Sequence, residues 1–287
     1  MSQFIKENDN KESRQKYNQE MAIIIPACDK YLDIFAEYMR YFRMNWPDCP
    51  FEIILVTETK YYEDKRVTSY TTTKDTAWTG RVLEGLKHTN CKYILTTIED
   101  GFISEKVKNK EIIQILTFMK KHNIQYYRNP KFGHKKTKDN SFSDFRHACK
   151  IKKNEVYSRS LGIDIWDREA LIDLFGDGSK SAWDIEDYFL RDSLTAENGY
   201  FEDWVSDDRN FLHIIETVSG GKWMRSELNR LKRLGIPVNT GNRAIMPITD
   251  YYRRRLHGVV NKIVPKKLRR PIKKFCTKIG FQFASKN

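Results

Sequence analysis

The run Ala22-Ile23-Ile24-Ile25-Pro26, followed by Leu32, Phe35, Ala36, Met39 and Phe42 and then by Phe51-Glu52-Ile53-Ile54-Leu55-Val56, constrains this chain more than any other feature. A short apolar run closed by proline suits a strand buried on both faces, and apolar residues recurring every three to four positions suit an amphipathic helix. Strand, helix and strand in that order make a βαβ unit. The pattern repeats with a helix over 76–87, where Trp78, Val82 and Leu86 share a face, feeding a strand over 93–97. A helix over 108–121 (Ile112, Ile115, Leu116, Met119) and a short strand over 124–127 follow. Alternating units of this kind predict an α/β fold with a mostly parallel sheet flanked by helices.

The second half is less regular. Residues 130–140 are basic, polar and rich in turn formers, which reads as a loop. A strand is expected over 156–166, a helix from an N-cap at Ser181 with Asp184 at its third position to about residue 194, and a strand over 211–218 ending at Gly220-Gly221. His213 falls inside that last apolar run and reads as a core residue. A helix over 223–234 and a loop over 236–248 complete this part.

The strand Lys92-Tyr93-Ile94-Leu95-Thr96-Thr97-Ile98-Glu99-Asp100-Gly101-Phe102 ends in two carboxylates. Open α/β sheets bind ligands at the carboxyl ends of their strands, and hard cations such as Mg²⁺ or Mn²⁺ take carboxylate and phosphate oxygens together. The stretch is therefore a candidate site for a nucleoside diphosphate. A charged surface turn is the other reading of the same residues.

Four segments resemble the bacterial GT-A-fold glycosyltransferases of capsule, exopolysaccharide and O-antigen gene clusters. They are Ile23-Ile24-Ile25-Pro26-Ala27-Cys28-Asp29; Asp75-Thr76-Ala77-Trp78-Thr79-Gly80-Arg81-Val82-Leu83; Tyr93 to Phe102; and the later pieces Ser160-Leu161-Gly162-Ile163-Asp164-Ile165-Trp166, Trp183-Asp184-Ile185-Glu186 and Gly221-Lys222-Trp223. The resemblance implies a GT-A-like (Rossmann-type) sheet with Pro26, Ala27 and Asp29 facing the nucleotide and Thr57 and Glu58 close by. It implies Trp78 and Arg81 at the base, sugar or diphosphate, although their spacing equally suits a core Trp78 and a solvated Arg81. Asp100 would hold a Mg²⁺ or Mn²⁺ ion, with Glu99 in support. The family pattern is Asp-x-Asp, whereas here Ile98 stands before Glu99-Asp100. Without a metal, Arg81, Lys222 or the basic 131–138 loop would meet the charge of the leaving diphosphate. Glu186, with Asp187 second, would be the general base of an inverting transfer. Asp184 suits the helix N-terminus, and Trp183 suits either a sugar platform or the core.

The chain has 287 residues, enough for one large domain with an appendage. Its five cysteines show no C-x-x-C spacing and their odd number does not suit a disulfide framework. Residues 1–20 are polar, reading as a flexible leader, and no run of about 18 apolar residues occurs. The net charge of +13 is concentrated: residues 251–287 hold twelve Lys/Arg and no Asp or Glu. There Tyr252, Leu256, Val259, Val260 and Ile263, then Leu268, Ile272, Phe275, Ile279 and Phe283, recur at helical spacing between basic residues. Such a stripe predicts amphipathic helices lying on an anionic membrane surface, with packing on the neutral body of the chain or on a partner as the other reading and nucleic acid not expected as a partner.

The expected organisation is thus a leader (1–20), a catalytic domain (21–248) with a nucleotide-binding half (21–128) and an acceptor half (140–248), and a basic membrane-associating tail (249–287). The resemblance implies a cytoplasmic enzyme, peripheral on the inner face of the membrane. It would move a sugar from a nucleotide-sugar donor carrying uridine diphosphate to a lipid-linked glycan acceptor. A sugar nucleotidyltransferase is the alternative, but such enzymes carry a glycine-rich loop with Arg and Lys after the first strand, and residues 26–31 have none. A catalytically inactive scaffold of a polysaccharide complex is the third reading.

Overall fold

A computed structural model describes residues 19–130, 137, 139–156 and 159–250. Most of the leader, most of the 131–138 loop and the tail beyond residue 250 lie outside them. The chain divides into two compact units, Met1–Thr217 and Val218–Asn287.

The first unit is built on one eight-stranded sheet. Its strands are β1 (Met21–Pro26), β2 (Glu52–Thr57), β3 (Thr68–Thr71), β4 (Tyr93–Thr96), β6 (Tyr126–Arg128), β7 (Ala148–Lys152), β8 (Ile165–Asp167) and β9 (Tyr200–Asp207), in the order β3-β2-β1-β4-β8-β6-β9-β7. The pairs β1–β2, β2–β3, β1–β4 and β6–β9 are parallel, while β8 runs antiparallel to both β4 and β6, and β7 to β9. This is the expected mostly parallel α/β sheet flanked by helices. Because β8 is antiparallel to both its neighbours, β4 and β6 point the same way. The carboxyl ends of β1, β2, β4, β6 and β9 therefore share one edge, together with the start of β8.

Strand β1 is buried along its whole length, as its apolar sequence requires. One face of the sheet is covered by α1 (Leu32–Asn45), whose Phe35, Tyr38, Tyr41 and Phe42 are fully buried, and by α3 (Asn109–His122). On the other face α2 (Trp78–Leu86), α4 (Arg168–Phe175) and α5 (Ala182–Thr195) pack Val82, Leu86, Leu171, Phe175, Ile185 and Phe189 against Ile24, Ile94 and Trp166. Gly85 is what lets α2 lie so close to β1: a Cβ there would sit 2.9 Å from Ile24 Cγ2. Helix α5 starts as the sequence predicts. Ser181 N donates to Asp184 Oδ2 at 2.8 Å and Asp184 N donates back to Ser181 Oγ at 3.3 Å, a reciprocal capping box.

Three expectations are corrected. The strand expected over 156–166 shrinks to β8, because Asp164 turns the chain before it and its Oδ2 accepts from Gly162 N at 3.1 Å. The strand expected over 211–218 splits into β10 (Ile214–Glu216), which pairs with β5 (Gly101–Ile103), and β11 (Val218–Ser219), which pairs with β12 (Lys222–Trp223). The break falls at Thr217, whose N and Oγ1 donate to Asp100 O at 2.8 and 3.0 Å. His213 is exposed beside Glu105 rather than in the core.

The second unit carries β11, β12 and α6 (Arg225–Arg233), with Trp223 and Leu231 buried and Trp223 Nε1 donating to Thr240 O at 2.9 Å. Among the described residues no helix is long and apolar enough to cross a membrane.

Candidate active site

The shared sheet edge brings together most of the residues singled out from the sequence. Ala27 extends β1, its N donating to Val56 O at 2.9 Å, so Pro26 and Ala27 end beside Thr57. Thr57 Oγ1 donates to Lys60 O at 2.6 Å and holds the loop after β2. Asp29 organises that loop: its Oδ1 accepts from Thr59 N and Lys60 N at 3.0 and 3.1 Å, and its Oδ2 from Thr59 Oγ1. Asp29 N in turn donates to Glu58 Oε2 at 3.1 Å.

Arg81 reaches this edge from α2 and is buried, 8% exposed. Its Nη1 donates to Thr76 O at 2.7 Å and lies 3.7 Å from Glu58 Oε1, while Nε finds no acceptor among the described residues. Glu99 is buried as well. Burial pushes the Cys28 thiol up to about 11, with Glu99 and Glu58 adding to the effect and Lys30 and Arg81 opposing it, so these groups surround the end of β1. Asp100, half-buried, sits in the turn closed by Gly101 N donating to Ile98 O at 3.1 Å. Trp78 is half-buried and meets Phe175 edge-on, packed on the core beneath the site. Glu58, half-buried, and Glu99, buried, are carboxylates of the kind a hard metal ion takes, and Arg81 and Lys30 are the cations that face them around the end of β1.

Further along the edge lies a second cluster, of which only Glu186 was anticipated. Asp164 is 1% exposed, and its carboxylate accepts from Asn129 N at 2.8 Å, Tyr126 Oη at 3.0 Å and Gly162 N. Burial pushes its carboxyl up to about 6, against those donors and the Arg128 guanidinium. Arg128 also faces Glu186, whose Oε1 accepts from Leu161 N at 2.6 Å. Burial raises the Glu186 carboxyl above the ordinary range, the Leu161 amide and Arg128 opposing it. Beside Arg128 and Asn129 opens a cavity of about 230 Å³ lined also by Ile98, Ser160, Asn210 and Glu216 among others. Sites that enclose a whole drug-sized ligand measure roughly 300–1,000 Å³, so this one suits a single ring of a larger ligand.

Asp187 points elsewhere, exposed and ion-paired with Arg191, and Trp183 is 82% exposed, outside the core. Lys222 belongs to the second unit, where its Nζ lies 3.4 Å from Asp250 Oδ2. The sequence reading missed Arg128 and Asp164. A charged residue ending the run Tyr126-Tyr127-Arg128, and a lone Asp between Ile163 and Ile165, were the available signals. It also missed a cluster of His147, Asp207 and Asp208 whose ligand atoms lie within 4.8 Å of one another. There Asp207 already accepts from Tyr127 Oη at 2.6 Å and from Arg209 Nε at 2.9 Å, so a guanidinium balances its charge.

No protein family model and no curated protein matches the sequence. Among solved structures, the chain is similar to S. aureus TarS at 11% identity and a TM-score of 0.44, over 87% of this chain and 46% of that one. It is also similar to 2-C-methyl-D-erythritol 4-phosphate cytidylyltransferase from Thermus thermophilus (9% identity, TM-score 0.40, 75% of this chain and 98% of that one). A third is a cytidylyltransferase from Leptospira borgpetersenii serovar Hardjo-bovis (13%, 0.39, 69% and 82%). The chain thus spans about half the length of TarS.

Proposed function

We propose that this protein is a glycosyltransferase that moves a sugar from a nucleoside diphosphate donor, uridine diphosphate in the first instance, to the hydroxyl of a lipid-linked glycan. One observation carries the reading: a cavity the size of one sugar ring, lined by Ile98, Arg128 and Asn129, opens at the sheet edge that also carries the buried Glu99 and the buried, incompletely satisfied Arg81. The nucleotide lies over Pro26, Ala27, Asp29, Thr57 and Glu58, and the donor sugar enters the cavity, where Arg128, Asn129 and Glu216 meet its hydroxyls. Asp100, with Glu99, would hold a Mg²⁺ or Mn²⁺ ion, which supplies charge neutralisation at the diphosphate when bound.

Glu186 takes the proton of the acceptor hydroxyl as the new C–O bond forms and the bond from the anomeric carbon to the diphosphate oxygen breaks. A carboxyl raised by burial is a better base for that step than an ordinary one. The departing diphosphate is met by Arg81, whose planar fork suits two phosphate oxygens. The basic stretch 249–287 is assigned to the cytoplasmic membrane surface where a lipid-linked acceptor resides.

The test is a panel of nucleotide-diphosphate sugars incubated with the purified chain and a membrane extract, read by mass spectrometry. Consumption of one donor with a matching mass gain in a lipid-linked product is expected. Absence of both donor consumption and nucleotide binding would overturn the reading.

A further inference from the structure

The stretch Ser160-Leu161-Gly162 joins three side chains through its backbone alone. Leu161 N donates to Glu186 Oε1 at 2.6 Å, Gly162 N donates to Asp164 Oδ2 at 3.1 Å, and Ser160 O accepts from Tyr126 Oη at 3.1 Å. Tyr126 Oη also lies 3.0 Å from Asp164 Oδ2. The base proposed on α5 is thereby coupled to a tyrosine at the start of β6. Ser160 and Gly162 line the ring-sized cavity as well, so the place of this backbone bears on both.

Tyr126 is a rigid anchor. It is fully buried, with its ring 4.2 Å from that of Trp166 and 4.9 Å from that of Trp204, which fixes where its hydroxyl sits. Burial beside Asp164 holds that hydroxyl well above its ordinary value, so it keeps its proton. One hydroxyl carries one proton, yet two acceptors lie within its reach. With Asp164 ionised, the charged acceptor draws the proton, and Ser160 O loses it. With Asp164 protonated on Oδ2, the carboxyl donates to Tyr126 Oη and the tyrosine proton goes to Ser160 O. Burial, which pushes the Asp164 carboxyl up to about 6, brings both states within reach of neutral pH. Tyr126 and Arg128 face Asp164 from β6, the Asn129 and Gly162 amides donate to it, and Thr96 of β4 donates to its backbone oxygen; Arg128 faces Glu186 too.

We propose that Tyr126 is a positioning residue for Glu186: by holding Ser160 O it fixes the backbone that presents the Leu161 amide to the Glu186 carboxylate, and Asp164 governs this hold by competing for the tyrosine proton. The role of Glu186 rests on the transferase reading, whereas the chain of bonds that reaches it is a property of the folded protein alone.

The experiment titrates Glu186 by carbon NMR of its labelled carboxyl, assigned with Glu186→Gln, in the full-length wild type, in Asp164→Asn and in Asp164→Asn/Tyr126→Phe. The asparagine amide stands where the protonated carboxyl would and donates to Tyr126 Oη, so Ser160 keeps its donor. Adding Tyr126→Phe alters no charge, and a shift it causes at Glu186 travels through the backbone. The Glu186 titration should move upward from the single to the double variant, because a slackened Leu161 amide favours the charged form less. The same titration in both variants overturns the proposal. If the double variant does not fold, the Leu161 amide proton decides. Its resonance should move in two steps in the wild type, one with Glu186 and one with Asp164, and in a single step in Asp164→Asn; a single step in the wild type overturns the proposal. Turnover separates positioning from structural support: kcat of the double variant should fall about tenfold below that of Asp164→Asn at unchanged donor KM, with the acid limb of its pH profile moved to higher pH. An acid limb that stays in place overturns the proposal. Failure of uridine diphosphate to bind would remove the transferase reading, whereas the carboxyl titration needs no substrate and decides the link from Tyr126 to Glu186 by itself.

Discussion

The two flanks of the sheet meet at one edge but are built on opposite terms. On the β1–β2–β4 side the strands are parallel and mostly apolar, and the acidic groups of the site arrive in the turns past their ends, as Asp29, Glu58 and Glu99 do. On the β6–β8–β9 side charge is buried at the strand ends themselves, with Asp164 held by Tyr126 and Asp207 by Tyr127 and Arg209. An unpaired buried polar group is costly, so the second flank ties stability to its chemistry while the first can change its ligand groups without losing its core.

The largest expected effect comes from Glu186→Gln, which removes the proposed base and leaves the nucleotide edge intact. Transfer should fall by about 10²–10⁴ while uridine diphosphate affinity stays as it was, measured by turnover and calorimetry. Loss of nucleotide affinity together with turnover would break the division between the flanks.

Asp164 gives the next effect, read as stability against pH. Its carboxyl is raised to about 6 in the folded protein, above its unfolded value, so the native state holds the proton more tightly. That contribution is complete below about pH 4 and is lost as pH rises through about 6, on the order of 2–3 kcal/mol in all. Urea unfolding across pH 4–7 should show this loss as the difference between wild type and Asp164→Asn. A difference flat with pH would contradict the buried assignment. Tyr126→Phe removes one donor from the same carboxylate and should cost about 1–3 kcal/mol by the same measurement at pH 7. Asp187→Asn, on an exposed ion pair with Arg191, should change stability by about 0–1 kcal/mol and leave transfer in place.

The same contrast explains what the sequence disclosed. β1, α1, β2, α2 and β4 were legible because each buries an unbroken apolar run or stripe, and their order placed Pro26, Glu58, Arg81 and Glu99 at one edge. Ser181 and Asp184 announced α5 because a capping box is local. β7 and β9 were not legible: Ala148-Cys149-Lys150-Ile151-Lys152 and Tyr200-Phe201-Glu202-Asp203-Trp204-Val205-Ser206-Asp207 carry charge that only their long-range pairing to each other and to β6 accommodates. Arg128 and Asp164 become meaningful only when the antiparallel insertion of β8 brings residues 128 and 164 side by side.

The central claim is that this edge holds a nucleoside diphosphate through Arg81, and calorimetry with uridine diphosphate, with and without Mn²⁺, tests it most directly. The account predicts saturable one-site binding by the wild-type chain and at least about tenfold weaker binding by Arg81→Lys, which keeps the charge but loses the fork. No binding to the wild-type chain under either condition, or equal binding by the variant, would contradict it.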